Sequence, residues 1–334
     1  MSEIREACER VVDETLRALK ENPGWERQYA GYASRILINL HFIREACSVV
    51  KRHLRKPFTL HLSTTNAMDS AYKVKFDGCY WGQKIMSLTC DGDKFKVTTK
   101  EHDKANEEWF GCVTKLADCE WDSQEAKKFR EHFESGKADT MPRSVELLMQ
   151  GQIITEMAKA QSADKHQALI GMQPVMLSGA RFMMRTAISA SDPTNVKFGE
   201  GGEKGIGGHI DLLMRAGLGA GNKLCVVEFK RKYGEVKKAL QQGTAYAVFL
   251  RELLRSKEAG HYWWDIFGYT RDIPEPGKLN LLVTIAMPRG SRKADDTFGG
   301  ETLKIGKDKI TLHYIYFDFN EIECKVKDIA SSLA

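Results

Sequence analysis

The sequence lacks the marks of several large protein classes. Its eight cysteines, Cys8, Cys47, Cys79, Cys90, Cys112, Cys119, Cys225 and Cys324, are scattered and form no Cys-x-x-Cys pair. With no histidine cluster beside them they do not read as a zinc site. No apolar run approaches the length of a membrane span. The first residues, Met1-Ser-Glu-Ile-Arg-Glu6, are charged where a secretory signal would be apolar. The expectation is a cytoplasmic protein with reduced thiols and no membrane partner; a secreted protein with paired cysteines is the competing reading. A strong charge of one sign is lacking too. Fifty Lys+Arg against 45 Asp+Glu leave a net +5, compatible with a polyanionic partner but too mild to argue for one. Gly-x-Ser-x-Gly, His-Glu-x-x-His and a Rossmann fingerprint between a strand and a helix are all missing.

What is present is a globular balance, 42% hydrophobic and 28% charged residues over 334 positions, enough for two domains. The stretch Ser135-Gly-Lys-Ala-Asp-Thr-Met-Pro142 is the candidate boundary. It predicts an α+β domain over 1–140, for target selection or sensing, and a second domain over 141–334. Before the boundary, helical spacing predicts helices over 3–21 and 33–55, the first closed by Pro23 and Gly24. Short alternating runs follow from Phe58 to Thr99, with a hairpin turn at Asp91-Gly-Asp93, and a polar helix covers 122–135. Beyond the boundary come a helix over 144–160, strands at 181–190, 209–215 and 224–230, a helix over 235–256, and strands at 280–286 and 311–317. A glycine-rich loop, Gly199–Gly208, does not open a helix and has no Gly-Lys-Ser/Thr ending, so it reads as a flap. Trp263 and Trp264 read as core aromatics, with stacking on bases the alternative.

The chemistry gathers on one hairpin. Side chains two apart on a strand share a face, so Glu228 points the same way as Lys230. If the loop Gly217–Asn222 folds symmetrically, 213 lies opposite 226 and Asp211 opposite Glu228, with Cβ atoms about 5 Å apart. Both strands are apolar on the other face, as strands covered on both sides are. A partly buried pair of carboxylates must share a proton or bind a cation. Two hard oxygen donors suit Mg²⁺ or Mn²⁺. The alternative is an acid pair at a strand end, neutralised by Lys230 and His209 without any metal.

Gly208-His-Ile-Asp211-Leu-Leu followed by Val226-Val-Glu228-Phe-Lys230 resembles the core of the PD-(D/E)XK nucleases. Gln242-Gly-Thr-Ala-Tyr246 resembles the Gln-x-x-x-Tyr helix motif of the RecB-like and Cas4-like branch, and a spacing of four puts both residues on one helical face. Upstream, Gly151-Gln-Ile-Ile-Thr-Glu156 resembles that branch's Gly-x-x-x-His-Glu motif, with Thr155 in place of the metal-binding histidine. That departure leaves a third ligand open between Glu156 and Glu146.

The resemblance covers roughly 142–320. It implies an α/β, restriction-endonuclease-like fold whose mixed central sheet is flanked by helices. It further implies a Mg²⁺- or Mn²⁺-dependent phosphodiesterase acting on nucleic acid, DNA before RNA, in a setting such as restriction or host defence. Asp211 and Glu228 would hold the metal. Lys230 would position water or counter charge, Gln242 and Glu156 would join the catalytic set, and Tyr246, Arg231 and Lys232 would contact the substrate. Tyr246 also fits a core position, and the cluster Arg231, Lys232, Lys237 and Lys238 also fits a solvated helix entrance. Two other functions stay open, an inactive nucleic-acid-binding module and a ligand-sensing signalling protein. A homo-oligomer is compatible with every one of these readings.

Overall fold

The structure, a computed structural model, describes residues 3–51, 58–65, 73–135, 146–153, 172–189, 207–217, 223–231, 235–289, 298–320 and 325–331. The chain begins with helices α1 (Glu3–Glu21), α2 (Gly24–Ile38) and α3 (Leu40–Lys51), then strands β1 (Phe58–Ser63), β2 (Lys73–Tyr80), β3 (Gln83–Asp91) and β4 (Lys94–Thr98). Helix α4 (Asp103–Phe110), strand β5 (Cys119–Glu120) and helix α5 (Gln124–Glu134) follow, then a helix α6 described over 146–153. Next come β6 (Met172–Pro174), β7 (Met176–Leu177), β8 (Ala180–Met183), β9 (Arg185–Thr186), β10 (Gly208–His209), β11 (Leu212–Ala216) and β12 (Lys223–Phe229). Helices α7 (Val236–Arg255) and α8 (Gly260–Ile266) precede the last strands, β13 (Asn280–Pro288), β14 (Thr302–Ile305), β15 (Asp308–Asn320) and β16 (Lys325–Ser331).

These elements make a mixed α/β protein of two compact units, Met1–Ser34 with Glu156–Val175 and Met183–Ala334, and Arg35–Thr155 with Met176–Phe182. The division differs from a single cut near residue 140. The reason lies in α1, whose buried stripe of Ala7, Cys8, Val11, Val12, Ala18 and Leu19 needs an apolar partner. It finds one in α7, against which α1 packs and where Lys237 pairs with Glu3. Trp25 and Tyr29 of α2 pack edge-on against Phe249 of α7, with centroids 5.4 and 4.9 Å away.

The first unit is built on a sheet of order β14-β15-β13-β12-β11-β6, with β16 beside β15. The strands β6, β11 and β12 run antiparallel; α7 then crosses over so that β13 lies parallel to β12, and β15 parallel to β13. Pro174 sits on the edge strand β6, where a missing N–H costs the ladder nothing. The sequence reading placed the first of these three strands at 181–190. That segment is instead split between β8, in the other sheet, and β9, which pairs with β10.

The second unit carries the sheet β5-β4-β3-β2-β1-β8-β7. The expected hairpin closes Asp91 against Lys94, and Ser123 caps α5 by accepting from the Ala126 N–H at 3.2 Å. Two expectations change here. The single helix over 33–55 is two helices broken at Asn39, and α4 was not foreseen. The β2–β3 turn holds Trp81 at φ 47° and Gly82 at φ 78°, the positive pair that a tight two-residue hairpin demands. Helix α6 presses on that turn. A Cβ at Gly151 would lie 2.3 Å from the Trp81 carbonyl carbon and 2.6 Å from the Gly82 nitrogen. Gly151→Ala is therefore expected to lose about 3 kcal/mol of stability, because backbone must move to admit it; a thermal unfolding scan measures this.

No helix among the described residues is long and apolar enough to cross a membrane. The described cysteines are free and, apart from Cys119, buried. Burial pushes the thiol of Cys8 up to about 11 and that of Cys225 up to about 12, so neither is a reactive thiolate.

Candidate active site

The hairpin β11–β12 keeps the register a symmetric turn requires, with Leu213 opposite Val226 and Leu212 opposite Val227. The ladder stops there. The chain leaves the large sheet at Ile210, whose N–H donates to the Met184 carbonyl at 3.1 Å as β10 pairs with β9. Asp211 thus lies at a bend before β11, not within one continuous strand over 209–215. Its side chain takes up the lost ladder position, Oδ2 accepting from the Phe229 N–H at 3.0 Å. Successive N–H groups on a strand point to opposite neighbours. The next one, of Lys230, accordingly donates to Ala286 of β13 at 2.9 Å. The Asp211 carboxylate is held beside the Glu228–Lys230 segment by the backbone itself.

Glu228 is fully buried, at 0% exposure. It shares its face with Val226, and that face packs under α7, where Gly243 permits the approach. A Cβ there would stand 2.6 Å from Val283 Cγ1, 3.5 Å from Glu228 Cγ and 3.8 Å from Val226 Cγ1. A glycine inside a helix costs about 1 kcal/mol relative to alanine, and here the strand beneath explains it. The opposite face of β12 carries Cys225, bonded to Thr284 Oγ1 at 3.2 Å, and Phe229, 6.5 Å from Phe317.

Gln242 and Tyr246 share one face of α7 as the spacing required, with the Gln242 side chain close to the Tyr246 hydroxyl. That hydroxyl also accepts from the His209 N–H at 3.2 Å. Gly208 leaves room for it, since a Cβ there would fall 2.5 Å from the Tyr246 oxygen. Burial, and then the negative charge of Glu228, push the Tyr246 phenol well above its ordinary value, against the opposing influence of Gln242 and the His209 N–H. The phenol stays protonated. Tyr246 is 1% exposed, so its ring is core and only its hydroxyl reaches the acids. Tyr246→Phe is expected to cost about 1–2 kcal/mol by leaving the His209 N–H without its acceptor, read as a lower denaturant midpoint at unchanged m-value.

No family model, characterised protein or solved structure matches the chain. Asp211, Glu228, Gln242 and Tyr246 come together at the end of β12, with Lys230 half-buried and Arg231 exposed beside them. Glu156 and Lys232 lie outside the described residues, while Glu146 is half-buried on α6 in the second unit. Gly151, one anchor of the Glu156 motif, has a packing role in that unit. Lys237 is engaged with Glu3, which leaves the basic cluster weaker than the sequence suggests. Trp263 and Trp264 are core, their indole N–H groups donating to the carbonyls of Tyr29 and Arg271.

Sequence reasoning passed over Gly208 and Gly243 as members of the site. A lone glycine inside the α7 pattern was the available signal. Among the described residues no group of three or more His, Cys, Asp or Glu could hold a metal ion. The Asp211 and Glu228 charges both act on the Tyr246 hydroxyl, and two carboxylates are a donor set that suits a hard cation completing its shell with water and phosphate oxygens.

Proposed function

We propose that the protein is a divalent-cation-dependent nuclease with a restriction-endonuclease-like core, hydrolysing phosphodiester bonds of nucleic acid, DNA in preference to RNA. One observation carries the reading: the Asp211 carboxylate is bonded to the N–H between Glu228 and Lys230, at the strand end beneath Gln242 and Tyr246. The order of three antiparallel strands, a crossover helix and a parallel fourth strand supports it.

Asp211 and Glu228 would hold Mg²⁺ or Mn²⁺, which when bound makes water a better nucleophile and stabilises charge on a phosphate. Asp211 is fixed for this by its bond to the Phe229 N–H. Lys230 places an ammonium one alternate position along from Glu228, where it offsets charge building on the phosphate oxygens. Gln242 orients a polar atom of substrate or water, and Tyr246 acts as a positioning residue that ties the His209 backbone to α7. Arg231 and Lys232 would neutralise flanking phosphates.

The burial of Glu228 favours a second reading, an acid kept for packing in an inactive nucleic-acid-binding protein. Purified protein incubated with plasmid, single-stranded DNA and RNA, each with Mg²⁺, with Mn²⁺ and with EDTA, separates the two. Cleavage that EDTA abolishes is expected; binding without cleavage under either metal selects the second reading.

A further inference from the structure

At the end of the first unit's sheet away from Glu228 lies a cleft of about 410 Å³. Its floor is Arg215 near the end of β11 and the starts of β12 and β13, and its wall is Trp264 of α8 and the segment after that helix. The volume is that of a pocket for one small molecule. Its polar lining is mostly cationic: Arg215, Lys223, Arg271 and Lys278 against the single acid Asp272. Only Lys278 has a carboxylate partner, Glu275 at 2.9 Å. Among the described residues no acid pairs with Arg215, Lys223 or Arg271.

Arg215 is the built part of the site. Its Nη1 donates to the Gly268 carbonyl at 2.6 Å and its Nη2 to Gln173 Oε1 at 3.3 Å, and its guanidinium lies 5.9 Å from the Tyr269 ring centroid. Gly268, at φ 85°, allows that approach, since a Cβ would stand 3.1 Å from Nη1. The Tyr269 ring is itself stacked on Trp264 at 3.8 Å and 8°, so the arginine rests on a rigid wall. Every partner that fixes Arg215 is neutral. Its charge is held in place and no acid among the described residues pairs with it, which is the arrangement that recognises phosphate at small entropic cost.

We propose that this cleft binds a small phosphorylated ligand carrying at least two negative charges, a diphosphate or a nucleotide, with Arg215 as the fixed phosphate contact and Lys223 and Arg271 closing on it. The site lies at the opposite end of β12 from Asp211 and Glu228, and binding there is independent of catalysis.

Titration calorimetry of the full chain with inorganic pyrophosphate and with ADP tests it. Saturable binding that weakens with salt is expected, reduced about tenfold in Arg215→Gln and severalfold in the Lys223→Gln/Arg271→Gln double variant. The double variant alters exposed side chains only, so it carries the test should Arg215→Gln fail to fold. Glu228→Gln protein should bind as wild type does, which separates this site from the proposed active site. The proposal is overturned if neither probe binds saturably, if the double variant binds as tightly as wild type, if Glu228→Gln abolishes binding, or if only an oligonucleotide binds.

Discussion

Glu228→Gln is expected to lower the rate of nucleic-acid cleavage by about 10³-fold while leaving the melting temperature within a few degrees of wild type. The amide keeps the shape of the side chain under Gly243 but removes one of the two charges that would hold the cation. The charge stabilisation supplied by a metal is worth several kcal/mol, and about 4 kcal/mol corresponds to a thousandfold in rate. The loss should appear in kcat and persist at saturating Mg²⁺. Asp211→Asn should fall by a similar factor and lose some stability too, because an amide oxygen is a weaker acceptor for the Phe229 N–H than a carboxylate. Cleavage by Glu228→Gln at the wild-type rate would remove the catalytic assignment and leave the packing role.

Asp308→Ala is expected to be the most destabilising single change outside the core, by about 3–5 kcal/mol. The Asp308 side chain is wholly buried. It accepts from Arg251 Nε at 3.0 Å, from Arg255 Nε and Nη2 at 2.9 and 2.8 Å, and from the Gly277 N–H at 2.9 Å. These bonds tie the end of α7 to the β14–β15 turn and the segment after α8. Removing the carboxylate leaves two largely buried guanidinium groups facing each other, which is costlier than never having built the pair. At 2–4 °C per kcal/mol for a unit of this size, a fall in melting temperature of about 10 °C follows.

Burial acts to raise the Asp308 pKa, but the bonds from Arg255, the Gly277 N–H and Arg251 outweigh it and hold the group below its ordinary value of 3.8. The linked stability is thus fully present above that value and is lost as the pH falls through the lowered one. Thermal unfolding at pH 7 and at successively lower pH should show wild type and variant converging only in the acid range.

Much of this architecture was legible because the relevant signals are local. The amphipathic spacing of α1 and α7 and the Asp91-Gly92-Asp93 turn depend on neighbours a few residues away, and they emerged where expected. So did the pairing of 213 with 226, which a symmetric turn dictates. The break at Asn39 was hidden because the backbone bonds Asn39 to Arg35 and Ile43 to Asn39 continue the helical pattern across it. Asp211 is bonded to the Phe229 N–H, next to Glu228 in the chain, but it sits on a different backbone from the one expected. An alternating pattern runs smoothly from His209 to Arg215, and nothing in it reveals that β10 turns away to pair with β9.

The residues alone determined the long periodic elements, α1, α5, α7 and the hairpin pairing of β11 with β12, and placed Gln242 with Tyr246 on one face of α7, because periodicity assigns side chains to faces before any tertiary contact forms. Only the folded chain decided that α1 belongs with α7, that Gly151 serves a turn in the second unit, that Glu228 and Tyr246 are wholly enclosed, and that no acid among the described residues pairs with Arg215. Those outcomes depend on contacts between segments tens to hundreds of residues apart, and no local pattern encodes where such segments meet.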